Sequence, residues 1–65
     1  MSKFRYVEVV EHDSNRVVKR YGVTLMSEDG VDTVEDGCND TINHNIHYVR
    51  RVECETELNT GTLWN

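Results

Sequence analysis

The chain has 65 residues, a net charge of −5 and 37% apolar residues, with a pI near 5.0. A chain of this length makes one domain and buries only ~60% of the surface its unfolded form exposes, which leaves little room for a closed substrate pocket. The apolar content excludes outright disorder at this charge, and no apolar run is long enough for a transmembrane span or a signal peptide.

Ten of the apolar residues are valine, and alanine, glutamine and proline are absent. Valine is stiff at χ1 and suits a pleated, half-buried surface, so the composition leans towards sheet. A core this thin often relies on a partner subunit, and a homodimer is expected on that ground. The polar, mixed-charge opening Met1-Ser2-Lys3-Phe4-Arg5 points to a cytoplasmic, unprocessed product in which Cys38 and Cys54 are reduced thiols.

Phe4 to Leu25 reads as a β-hairpin. The even positions Phe4, Tyr6 and Val10 alternate with more polar ones. Beyond His12-Asp13-Ser14-Asn15, the odd positions Val17, Tyr21, Val23 and Leu25 do the same. A loop over 12–15 sets Tyr6 opposite Tyr21 and Phe4 opposite Val23 on one face. The same register pairs Glu8 with Lys19 and Glu11 with Arg16 across the strands. The other face carries Arg5, Val7, Val9, Val18 and Arg20, too apolar in its middle to be wholly solvated.

Ser27 is a good N-cap, and Glu28 and Asp29 follow where carboxylates favour the positive end of the helix dipole. Val31, Val34, Cys38 and Thr41/Ile42 fall at helical spacing and predict a helix that ends around Asn43-His44-Asn45. Gly30 and Gly37 each cost ~1 kcal/mol against alanine, so this helix needs a sheet beneath it. Ile46 to Thr56 alternates again, with Ile46, Tyr48, Val52 and Cys54 sharing parity. Asn59-Thr60-Gly61 signals a turn before a short strand over Thr62-Leu63-Trp64. The expected fold is α+β: a single domain over 1–65 in the order β-β-α-β-(β), one helix on an antiparallel sheet of three or four strands.

Charge is unevenly placed along this order. Between Tyr21 and Val49 there is no lysine or arginine, yet Glu28, Asp29, Asp32, Glu35, Asp36 and Asp40 all lie there. A merely solvated face usually mixes both signs, whereas unrelieved like charge gives long-range attraction for a basic partner. The expected interaction surface is therefore the acidic helix face, and the expected partner has a basic surface, for example a nucleic-acid-binding protein or complex. The competing surface is a basic and aromatic sheet face, with Lys19, Arg20, Arg50 and Arg51 near Tyr6, Tyr21 and Tyr48, reading nucleic acid directly.

Other chemistries lack their residue patterns. Gly37 at position six of a calcium loop would leave Val34 at position three and Asn43 at twelve, without the bidentate glutamate. Cys38, His44, His47 and Cys54 supply no C-x2-C pair, and both cysteines read as small buried hydrophobes, so no metal or other cofactor is expected. No nucleophile, base and orienting group are arranged together, so the chain is not expected to be an enzyme.

The compact β-β-α-β plan, from Phe4-Arg5-Tyr6-Val7 to Tyr48-Val49-Arg50-Arg51-Val52-Glu53, resembles that of the very small proteins that bacteriophages make against their hosts. These include anti-CRISPR proteins and inhibitors of host RNA polymerase. The resemblance implies stoichiometric inhibition of a host protein, by occlusion or nucleic-acid mimicry, and carries no residue role with it.

Overall fold

The computed structural model describes residues 3–63 and explains the strand order from the valines outwards. β1 (Phe4–Glu11) lies inside a four-stranded antiparallel sheet of order β3-β1-β2-β4, with β2 spanning Val17–Gly22, β3 His47–Cys54 and β4 Gly61–Thr62. With a neighbour on each side, β1 is the most buried element, and Tyr6 through Val10 are all buried. Val7 and Val9 face α1 (Glu28–Thr41) and form the core with Val23, Val31 and Cys38, flanked by Val18, Val34, Ile42 and Val49. Val31, Val34 and Cys38 are the helix positions expected to face the sheet. The valine-rich side of the hairpin is thus the one the helix covers.

The hairpin keeps its expected register only near the turn. Val10 faces Val17, and the Glu11 N–H donates to the Arg16 carbonyl at 2.9 Å, with Asn15 in the left-handed region (φ 57°). A bulge between Val9 and Val10 then shifts the ladder by one residue. Tyr6 faces Gly22 instead of Tyr21, Glu8 faces Arg20 instead of Lys19, and the Val23 N–H reaches the carbonyl of Arg5, not that of Phe4. Because side chains alternate, the slip moves a whole set to the other face. Its physical reason lies in the core. The unshifted register would set Arg20 beside Val7, whereas the shifted one brings Tyr21 and Val23 to the helix side and sends Arg20 to Glu8.

Other boundaries also move. Leu25, expected on the second strand, is 99% exposed in the loop before the helix, and Ile46 is exposed just ahead of β3. The Ser27 hydroxyl accepts the Gly30 N–H, as an N-cap should. The helix stops at Thr41, where the Asn43 side chain accepts the Asn45 N–H and its carbonyl accepts those of Ile46 and His47. A side chain that offers the backbone such a local alternative ends helices. The last strand is Gly61–Thr62, paired with Lys19 and Arg20, and Trp64 lies outside the described residues.

Between β3 and β4, residues 55–60 cross the face opposite the helix. The Leu58 N–H donates to the Tyr6 hydroxyl at 2.8 Å and Arg20 donates to the Asn59 carbonyl at 2.9 Å. This strap accounts for the burial of Tyr6 on the helix-free side.

The cysteines are separated by the sheet. Cys38 is buried in the core, and burial pushes its thiol pKa up, outweighing the lowering by Lys19. Cys54 is half-buried on the strap side, 2.9 Å from the Thr56 carbonyl. The thiolate is the reactive form. At neutral pH a thiol reagent should therefore modify Cys54 first, and Cys38 at the rate of global opening. Since the folded thiol titrates above its unfolded value, this residue's contribution is intact at neutral pH and fades as the pH climbs through the alkaline range. Peptide mapping of a timed alkylation checks it, and equal rates at both cysteines would refute the burial of Cys38.

Candidate interaction surface

Two separate charge systems flank the sheet. On the strap side, Glu8 is 1% exposed and lies between two arginines from neighbouring strands. Arg20 donates from Nε to Glu8 Oε2 at 2.6 Å, and Arg50 from Nε to Oε1 at 2.8 Å. Arg20 also lies over the Tyr6 ring, 5.9 Å from its centroid. A carboxylate this buried is tolerable when paired and hydrogen-bonded on both oxygens. The bond to Glu8 holds the Arg50 proton more firmly than usual.

On the helix side, Arg51 rises from β3 into three carboxylates of α1. It pairs with Glu35 at 2.8 Å, with Asp32, and with Glu28 at 3.6 Å, and the hydrogen bonds it donates to Glu35 and Asp32 raise its pKa. Arg5 donates to Glu28 at 3.1 Å and also to the carbonyls of Val23 and Thr24, tying the β2–α1 loop to the sheet. A cavity of about 220 Å³ opens at this end of the helix, with Arg5, Glu28, Val31, Arg51 and Glu53 among its lining.

The six carboxylates expected to form one acidic face therefore divide in two. At 100° per residue, Glu28, Asp32 and Glu35 lie on the flank above β3, while Asp29, Asp36 and Asp40 lie on the stripe pointing away from the core. The flank is partly neutralised by Arg51 and Arg5. The outer three are exposed, and their side chains form no ion pair among the described residues. Six carboxylates against two guanidiniums leave the helical layer at −4 (−6 + 2).

The four cations of the competing surface do not share a face. Arg50 and Arg51 are consecutive in β3, so one turns to Glu8 and the other to the helix. Lys19 lies opposite Val9 on the helix side, while Arg20 turns to Glu8. Tyr6 is 3% exposed, and Tyr48 is half-buried with its ring 4.9 Å from that of His12. Among the described residues, Arg20, Arg50 and Arg51 are each engaged by carboxylates of the chain.

Sequence reasoning missed Arg5 as an organiser of charge and paired Glu8 with Lys19 where the structure gives it Arg20 and Arg50. The signal for Arg5 was its place on the valine-rich face, where a buried cation must find oxygens. Glu8 depended on knowing that β1 would have neighbours on both sides.

What these features define is a small α+β domain with a net-acidic helical layer. No protein-family model matches the chain, and no curated protein or solved structure is significantly similar to it. Among the described residues no helix is long and apolar enough to cross a membrane.

Proposed function

We propose that this protein is a small, non-enzymatic interaction protein whose acidic helix docks on a basic surface of another protein. The observation that carries this reading is the outward stripe of Asp29, Asp36 and Asp40, exposed and turned away from the Arg5 and Arg51 pairs on the helix flank. The six carboxylates over residues 28–40 fall within about 18 Å of helix axis, roughly one every 3 Å, close to the axial charge spacing of one nucleic-acid strand. A surface of that density suits a site whose lysines and arginines otherwise meet phosphates. The mode of action is then inhibition by occlusion or nucleic-acid mimicry, as in the small phage proteins that the chain resembles in plan, with a nucleic-acid-binding host protein as the target.

The test removes charge while preserving shape. In the triple variant Asp29→Asn, Asp36→Asn, Asp40→Asn the ion pairs of Arg5 and Arg51 stay intact. Loss of a favourable charge near the helix N-terminus is offset by loss of an unfavourable one near the C-terminus. The thermal midpoint should hold or rise slightly as like-charge repulsion is relieved. Association with a basic partner recovered by affinity capture should slow, and its dependence on salt should flatten. The parent protein should also displace an oligonucleotide from that partner. A triple variant that associates as fast as the parent at every salt concentration would defeat the proposal.

A further inference from the structure

β3 is an edge strand of 8 residues, paired with β1 along its whole length without a bulge and with no proline in it. The opposite edge is closed differently, by the two-residue β4. The His12 N–H reaches the Ile46 carbonyl at 2.8 Å, and the alternation this sets turns the main chain of Tyr48, Arg50 and Val52 towards β1. The amides and carbonyls of Val49, Arg51 and Glu53 therefore point outwards from the sheet. Charged side chains commonly guard such an edge. Here Arg50 is drawn in by Glu8 and Arg51 by the helix.

From this geometry we infer that β3 accepts an extended segment of a partner protein as a fifth strand, one that alternates basic with apolar residues. The alternation follows from the two faces of the edge. On one side the added strand runs beside the helix flank, where the four carboxylates of Glu28, Asp32, Glu35 and Glu53 outnumber the guanidiniums of Arg5 and Arg51, an excess of negative charge that favours lysine or arginine on that side. On the other side it lies beside Tyr48, Val52 and Cys54, all half-buried, which calls for apolar residues between the basic ones. A second copy of this chain fits the edge poorly, because pairing β3 with itself sets two helical layers of −4 next to one another. Pairing by main-chain hydrogen bonds gives affinity, and the alternate side chains give selectivity.

The inference rests on the reading of the helical layer as docking charge, and its test separates the two. A labelled peptide as long as β3, alternating lysine with valine, is compared with a peptide of the same composition whose lysines and valines form two blocks. The alternating peptide should bind at least about tenfold more tightly, since on a paired strand it alone sets every lysine on the acidic side and every valine on the apolar side. It should also slow amide exchange at Val49, Arg51 and Glu53. Val49→Pro removes an outward N–H without touching the β1 ladder and should weaken binding of the alternating peptide by a similar factor. If that variant does not fold, N-methylation of alternate residues along one edge of the peptide takes its place and should abolish the preference over the block peptide.

Equal, salt-sensitive binding of both peptides would overturn strand addition and leave the acidic docking layer standing. Binding of neither would overturn both. Sedimentation of the protein alone as a dimer with Val49, Arg51 and Glu53 protected would assign the edge to a second copy and overturn the inference.

Discussion

Replacing Glu8 with alanine is expected to bring the protein to the edge of folding at room temperature. Its carboxylate holds Arg20 and Arg50 from the two strands that flank β1, and its side chain is almost fully buried. Removing one member of a buried charge group costs about 3–5 kcal/mol, because the remaining charges lose their partner without regaining water. Arg50 is partly exposed and can swing outwards, which places the loss near ~3 kcal/mol. A core of this size rarely supplies more than ~3–5 kcal/mol in total, so the variant stands at the edge of folding. Glu8→Leu combined with Arg20→Leu and Arg50→Leu should recover much of the loss, since an apolar set strands no charge. Urea titrations followed by circular dichroism check both. A Glu8→Ala variant with the parent's midpoint would show that the triad contributes no stability.

Val7→Ala is the second large effect expected. Val7 has no exposed surface and belongs to the core cluster under α1, opposite Tyr21 on β2 and Arg51 on β3. Deleting its methyl groups leaves a void beneath the helix, costing about 2–3 kcal/mol by analogy with other core truncations. The helix should be affected first, because its two glycines and its acidic layer leave it dependent on this contact. Val18→Ala, at the half-buried bulge, should cost markedly less. Amide exchange would show it: in Val7→Ala, protection in α1 should fall before protection in β1. Equal losses for the two valines would place the core elsewhere.

Some of this architecture was written locally. The N-cap at Ser27, the spacing of Val31, Val34 and Cys38, and the alternation in β1 and β3 arise from residues within a few positions of one another. Helix and strand periodicities are short-range properties, so α+β and the element order could be read directly. The hairpin was correct as far as Val10, where the turn governs pairing, and wrong by one residue beyond it. The bulge answers to the core, which needs Val23 under the helix and Arg20 away from Val7, and no local rule contains that demand.

The acidic surface divides in the same way. Six carboxylates over residues 28–40 without a cation are a fact of composition, and they point to charge-driven docking before any fold is known. Which of them stay free was decided by tertiary structure alone. Arg51 lies 16 residues from Glu35 in the chain and meets it only because β3 is laid beneath one flank of the helix. Arg5 reaches Glu28 across 23 residues for the same reason. Likewise, Arg50 and Arg51 look like one basic patch in the sequence, but strand alternation sends them to opposite sides of the sheet, each to its own carboxylates. Charge is additive along a chain, but its pairing depends on which strands become neighbours. That choice is made by burial of the valines, and it leaves Asp29, Asp36 and Asp40 facing outwards and the edge of β3 open.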